Sequence, residues 1–139
     1  IELLKPGAEN KQLSIHSNVN KNTYVYADPE MTKTVIRNLL TNAIKFTNEN
    51  GKIAINAYEQ DNQIKTGICD SGIGIPEDKI EDLFRMDEKF TRKGTAGEEG
   101  TGLGLIICKE FIEKNKGALW AENNAGQGTT FYFTLPKPE

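Results

Sequence analysis

Asp28-Pro29-Glu30-Met31-Thr32-Lys33-Thr34-Val35-Ile36-Arg37-Asn38-Leu39-Leu40-Thr41-Asn42-Ala43-Ile44-Lys45-Phe46 is the stretch on which the fold turns. Asp28 supplies a carboxylate for the unbonded amides of an opening helical turn, and Pro29 pre-sets the backbone at the first helical position. Met31, Val35, Ile36, Leu39, Leu40, Ala43 and Ile44 then recur at three- and four-residue spacing, which predicts an amphipathic helix running to about Phe46. Two asparagines stand inside it, Asn38 and Asn42, although asparagine costs about 0.5 kcal/mol relative to alanine in a helix. At about 100° per residue, Asn38, Asn42 and Lys45 share a stripe roughly 60° wide beside the apolar arc. A side-chain amide oxygen is a hard, neutral ligand suited to Mg²⁺, and a lysine one turn further can meet the phosphates such an ion bridges. In isolation the stripe reads more readily as solvated polar residues beside a core.

On the N-terminal side, Leu13 and Ile15, then Tyr24 and Tyr26, alternate with polar residues and predict two short strands. Residues 1–12 read as a short helix or linker remnant broken at Pro6-Gly7. On the C-terminal side, Lys52 to Glu59 and Gln63 to Asp70 alternate as a hairpin joined by Gln60-Asp61-Asn62. Residues 77–100 are charged and punctuated by Gly94, Gly97 and Gly100, the composition of a short helix followed by a mobile loop. A second helix is expected from near Thr101, with Leu103, Ile106, Ile107 and Phe111 on one side and Gly117 stopping it. Leu119 to Glu122 and Thr129 to Leu135 close the chain as a hairpin through Gly126-Gln127-Gly128. The elements mix without strict βαβ alternation, so the predicted class is α+β: a two-layer sandwich with a mixed, mainly antiparallel sheet of about five strands on about three helices.

The bulk composition narrows the function. A chain of 139 residues suits one domain. Seventeen Lys and Arg against twenty Asp and Glu give a net charge of −3 with no basic cluster, which argues against nucleic acid as a partner. Cys69 and Cys108 lie in apolar stretches without a second ligand at metal spacing, so both are expected as reduced packing residues in a cytoplasmic domain. No apolar run is long enough to cross a bilayer, and the start at Ile1 without Met is expected of a piece whose parent could still be membrane-anchored. His16, the one histidine, falls in an alternating segment with no acid or cysteine beside it, and is read as a strand residue.

Two glycine-rich turns add chemistry. In Asp70-Ser71-Gly72-Ile73-Gly74-Ile75-Pro76, glycines let the backbone approach a flat ligand and a strand-end carboxylate can accept from an exocyclic amine, as adenine would offer. An Asp-Ser-Gly turn bonding its own backbone is at least as good a reading of that segment alone. Gly100-Thr101-Gly102-Leu103-Gly104-Leu105 lies where a loop becomes a helix, and the free amides of a helix start favour phosphate. It lacks the Lys-Ser/Thr ending of a P-loop and the strand-to-helix setting of a dinucleotide fold.

Together and in this order, the three segments resemble the N, G1 and G2 boxes of the sensor histidine kinase catalytic domain, in the Bergerat-fold superfamily shared with gyrase, MutL and a heat-shock chaperone ATPase. The resemblance covers about Leu13 to Pro136, including Ala27-Asp28-Pro29, Asn38 to Thr47, Leu83-Phe84 and Gly126-Gln127-Gly128-Thr129-Thr130-Phe131. It implies that Asn42 holds Mg²⁺, that Asn38 and Lys45 contact phosphate and that Phe46 borders the nucleotide. It further implies that Asp70 binds the adenine amine over a floor of Gly72, Gly74 and Ile75, with Thr129 reaching the base through water. Gly100, Thr101, Gly102, Leu103 and Gly104 would wrap the triphosphate, and residues 77–100 would form the lid. Where many relatives carry Phe-Tyr-Arg after the first lid phenylalanine, this chain reads Arg85-Met86-Asp87-Glu88-Lys89-Phe90. Lys89 is the first choice by spacing for the cation on the γ-phosphate, ahead of Arg85 and Arg92.

The hydrolytic relatives place a glutamate one turn before the metal-binding asparagine; here Asn38 stands there, and a neutral amide cannot take a proton from water. The resemblance therefore implies transfer of the γ-phosphoryl group of ATP to a histidine on a separate dimerisation domain, and onward to a response-regulator receiver. This piece is expected to be monomeric and its parent a homodimer. The alternatives are a self-contained ATPase and a nucleotide-binding pseudokinase or adaptor.

Overall fold

The computed structural model describes residues 14–19, 24–47, 50–75, 80, 84, 103–124 and 127–138. The first long helix, α1 (Pro29–Phe46), follows the short strand β1 (Ser14–Ser17). Asp28 caps α1 by accepting from the Met31 amide at 2.9 Å, with Glu30 in the first turn and Lys45 in the last, each sign suiting its end of the helix dipole. Val35, Leu39, Leu40, Ala43 and Ile44 are its buried face, as the periodicity requires. At its end the buried Thr47 hydroxyl donates to the Ala43 carbonyl.

Strands β2 (Lys52–Gln60) and β3 (Gln63–Asp70) form the expected hairpin, but its loop is shorter. Gln60 pairs with Gln63, and only Asp61 and Asn62 turn the chain, at φ 52° and 65°. Left-handed backbone at both central residues matches the strand twist, and Asp and Asn tolerate it. The second helix, α2 (Leu103–Lys114), is followed by β4 (Leu119–Asn123) and β5 (Thr129–Pro136). The sheet order is β1-β2-β3-β5-β4, with β1 parallel to β2 and every other pairing antiparallel.

Ile53, Ile55, Ile68, Leu119, Ala121, Phe131, Phe133 and Leu135 project from one sheet face into a single core with the buried residues of α1 and α2. This is the predicted two-layer sandwich. The third, short helix expected after residue 77 lies outside the described residues apart from Ile80 and Phe84, which both pack against the core; Phe84 meets Phe131 edge-on at 6.2 Å. The other sheet face carries an aromatic row. Trp120 stacks on Tyr132 with ring centroids 5.5 Å apart, Lys65 lies over both rings, and Trp120 Nε1 donates to Glu122 at 3.0 Å.

Three expectations are corrected. Residues 24–26 are not a strand: both tyrosine rings are exposed, and a single bond from Tyr26 N to Pro136 O at 2.8 Å does not make a ladder. Ile107 faces outward at 38% exposure, while α2 buries Leu105, Ile106, Cys108 and Ile112. The residue that turns α2 out of helical conformation is Lys116, at φ 66°, and not Gly117. Gly117 N bonds Ile112 O at 2.9 Å and Lys116 N bonds Glu113 O at 3.0 Å, the paired bonds of a Schellman ending. Glycine is needed at 117 for room, since a Cβ there would lie 1.8 Å from the Thr134 carbonyl oxygen.

His16 sits in β1 as expected, and both cysteines are free. Cys108 is fully buried, and burial pushes its thiol up from 9.0 to about 11. A thiol pKa raised in the folded state means the unfolded chain loses the proton first. Stability is therefore expected to fall as pH rises from about 9 to about 11, with a slope approaching about 1.4 kcal/mol per pH unit from this group. Urea melts at stepped alkaline pH, with Cys108→Val as the comparison that lacks this slope, check it.

Candidate functional site

Three segments far apart in sequence meet at the C-terminal half of α1. The first junction joins the end of α1 to the turn after β3. Ile73 N donates to the Phe46 carbonyl at 3.1 Å, so one of the helix's unbonded terminal carbonyls is satisfied by the turn itself. Gly72 is required at that crossing: a Cβ would stand 2.2 Å from the same Phe46 oxygen. Lys45, half-buried, lies 5.6 Å above the Phe46 ring, so the ammonium and the aromatic edge share one end of the helix.

The second junction fixes Asp70. Its side chain is buried at the end of β3, where Oδ1 accepts from Gly72 N at 2.9 Å and from Thr129 N at 3.2 Å. Two backbone donors, one from the turn after β3 and one from the start of β5, orient the carboxylate. Gly128, at φ 95°, brings β5 so close that a Cβ would stand 1.9 Å from the Asp70 carbonyl oxygen. Thr129 is buried beside it. The Asp-Ser-Gly turn therefore does bond its own backbone, and it does so while holding the acid in place.

The third junction lies between the helices. A Cβ on Gly104 would lie 3.7 Å from Asn38 Cγ and 3.8 Å from its Oδ1, which puts the first turn of α2 against the amide stripe of α1. Asn38 and Asn42 are both half-buried. The structure thus brings together Asn38, Asn42, Lys45, Phe46, Asp70, Gly72, Gly74, Ile75, Gly104 and Thr129. Leu103 opens α2, while Lys89, Gly100, Thr101 and Gly102 lie outside the described residues.

Two asparagines at the end of β4 escaped the sequence reading. Asn123 grips the glycine turn with both ends of its amide: Ile75 N donates to Oδ1 at 3.0 Å, and Nδ2 donates to Ile75 O at 2.7 Å. The Thr129 hydroxyl also donates to Asn123 Oδ1, at 3.2 Å. Asn124 Nδ2 donates to the Asp70 carbonyl at 2.9 Å, and its Oδ1 accepts from the Thr130 hydroxyl. Gly74, at φ 76°, makes the left-handed step that brings Ile75 to Asn123. A signal was present: Asn123-Asn124 end a strand just before the glycine-rich turn of the closing hairpin.

Among the described residues no group of three His, Cys, Asp or Glu could hold a metal ion by itself, and no helix is long and apolar enough to cross a membrane. A separate cavity of about 350 Å³, lined by Tyr26, Asp28, Lys114 and Lys116 among others, lies by the opposite end of α1 and contains none of the site residues.

Residues 27–139 match the family described as histidine kinase-, DNA gyrase B-, and HSP90-like ATPase, and the chain belongs to that family, as a catalytic domain of the sensor histidine kinase type. It is similar to the adaptive-response sensory kinase SasA of Crocosphaera subtropica, 42% identical over 113 residues that make up 81% of this chain and 29% of that protein. The chain thus spans under a third of that relative's length. Among solved structures, the nucleotide-free catalytic domain of the histidine kinase ThkA superposes with a TM-score of 0.80 at 32% identity, covering 99% of this chain and 89% of that one. ThkA in complex with the response regulator protein TrrA gives 0.78 at 30% identity, covering 99% of this chain and 38% of that one.

Proposed function

We propose that this domain binds Mg·ATP where α1, the turn after β3 and the start of α2 meet, and donates the γ-phosphoryl group to a histidine on a separate phosphoacceptor and dimerisation domain. The observation that carries the reading is the double seating of α1. Phe46 O holds the Asp70 turn at one end of the amide stripe, and Gly104 abuts Asn38 at the other. In this reading Asp70 accepts the adenine amine, Gly72, Gly74 and Ile75 form the floor beneath the base, and Thr129 reaches it through water. Phe46 borders the pocket, and Lys45 and Asn38 face the phosphates.

The residues present fit Mg²⁺ in one specific way. The amide oxygen of Asn42 is a suitable hard ligand, and with no acidic cluster among the described residues the ion's remaining ligands would be phosphate oxygens and water, the set Mg²⁺ prefers. When bound, the ion would draw off charge developing on the transferring phosphoryl group. Asn38 cannot act as a base toward water, so steady hydrolysis by the domain alone is expected to be slow, and in-line attack by an external histidine is the chemistry the site suits.

The whole of residues 1–139 as one domain is part of this proposal, as is a lid over residues 77–100 with Lys89 on the γ-phosphate and Gly100 to Leu103 on the triphosphate. The partners proposed are the phosphoacceptor domain of a homodimeric parent and a response-regulator receiver, with this chain monomeric and working in the cytoplasm. The printed pairing of ThkA with TrrA supports the receiver as a partner class.

The direct experiment supplies a matched dimerisation domain and radiolabelled ATP. Acid-labile, base-stable phosphate on that domain is expected, and steady phosphate release by the lone chain at the same rate would favour the self-contained ATPase instead. For the metal, Asn42→Ala is expected to lower ATP affinity about tenfold in Mg²⁺ and leave it unchanged in chelator, one lost hard ligand being worth on the order of 1.4 kcal/mol. Equal calorimetric affinities for variant and parent in Mg²⁺ would remove Asn42 from the metal site.

A further inference from the structure

Asn123 and Thr129 stand directly opposite each other across β4 and β5, on the face that carries Ala121 and Phe131 into the core. The backbone that Asn123 meets fixes which way its amide points. Ile75 N can only donate and lies 3.0 Å from Oδ1, while Ile75 O can only accept and lies 2.7 Å from Nδ2. A flipped amide would set donor on donor and acceptor on acceptor. Oδ1 is therefore the atom 3.2 Å from Thr129 Oγ1, and an amide oxygen has no hydrogen to give.

The Thr129 hydroxyl must supply the hydrogen of that bond, and it has only one. What it keeps for any further partner is lone pairs. The Thr129 amide stands 3.2 Å from Asp70 Oδ1, so this hydroxyl borders the Asp70 carboxylate, itself an acceptor. A group that reaches both finds two acceptors. A water shared between them would spend both its hydrogens there and turn lone pairs outward. Either way the place complements an N–H and opposes a carbonyl oxygen. A Cβ on Gly74 would lie 3.5 Å from the same Asn123 Oδ1, which puts this arrangement against the glycine turn proposed as the adenine floor.

We propose that Asn123 is a positioning residue that makes Thr129 an acceptor, and that it thereby helps the site select a 6-amino over a 6-oxo purine. The inference rests on the proposed seat of adenine at Asp70. The measured quantity is the ratio of ATP affinity to inosine triphosphate affinity, by calorimetry on the 139-residue chain in Mg²⁺. Asn123→Ala frees the hydroxyl proton to turn toward the nucleotide and is expected to lower that ratio about fivefold, the worth of one neutral hydrogen bond. Asn123→Asp, ionised or protonated toward Ile75 O, still offers Thr129 an oxygen and is expected to keep the parental ratio. Thr129→Val removes the acceptor at nearly constant volume and is expected to lower the ratio about as far. In that background Asn123→Ala is expected to lower it no further, the sign of action through Thr129.

A purely structural grip on the turn predicts something else: both affinities falling together with the melting temperature, the ratio unmoved, and the same loss whether residue 129 is Thr or Val. That pattern, or a parental ratio in Thr129→Val, overturns the inference. Asp70→Asn distinguishes the two levels. If it too keeps the parental ratio, the adenine seat is misassigned and the role of Asn123 falls with it. If it loses the ratio while Asn123→Ala and Thr129→Val keep it, only the role of Asn123 falls.

Discussion

Asp70→Asn is expected to weaken ATP binding by about two orders of magnitude while leaving the fold in place. The carboxylate is oriented by Gly72 N at 2.9 Å and Thr129 N at 3.2 Å, both on Oδ1. An asparagine that keeps its oxygen on those two amides must turn its N–H₂ toward the position proposed for the adenine amine, setting donor against donor. An asparagine flipped the other way sets N–H₂ against two backbone N–H groups. Either arrangement loses a charge-assisted bond and leaves a buried donor unmet, together about 3 kcal/mol, or on the order of a hundredfold. Calorimetry with ATP and with a purine triphosphate lacking the 6-amino group reads the effect. The parent chain is expected to discriminate strongly between them and the variant hardly at all. Binding of ATP at parental strength by the variant would mean that Asp70 does not read the base.

Gly128→Ala is expected to have the largest effect on stability. Its φ of 95° is a conformation that side chains rarely adopt. The added Cβ would also stand 1.9 Å from Asp70 O and 2.9 Å from Ser71 Cα, both backbone atoms with no rotamer to yield. Strained backbone costs about 1–3 kcal/mol and forced overpacking about as much again, so about 4 kcal/mol is expected. A small domain holds only about 5–15 kcal/mol in all. Denaturant melts measure the loss. Gly104→Ala, whose Cβ would meet nothing closer than Asn38 Cγ at 3.7 Å, is the comparison expected to melt near the parent. If Gly128→Ala melts there too, β5 does not depend on that close approach to β3.

What could be read from the sequence was what short-range physics decides. Asp28, Pro29 and the spacing from Val35 to Ile44 act within a turn or two of one helix, so α1 was legible almost to the residue. The β2–β3 alternation was legible for the same reason, and only the loop was misjudged, because Asp61 and Asn62 both take left-handed backbone. Tyr24 and Tyr26 alternate just as well, but a strand also needs a neighbour along its whole length, and one bond to Pro136 does not supply it. Pairing partners are non-local, so neither the parallel β1–β2 ladder nor the placement of β5 between β3 and β4 could be derived from local pattern. The site divides in the same way. Asp70 and its glycines announce themselves by residue type, whereas Asn123 and Asn124 matter through bonds to residues 48 and 54 positions away. Cys108 is the packing residue that its apolar stretch predicts.

The stacked pair on the open sheet face gives the protein a built-in optical gauge. Trp120 is the chain's one tryptophan, so tryptophan emission comes from a single ring with a fixed neighbour in Tyr132 and a cation above it. Three positions along the same strand, Asn123 grips the turn that carries Ile75. Loss of the β4–β5 pairing separates that stacked pair, so melting can be followed on unlabelled material.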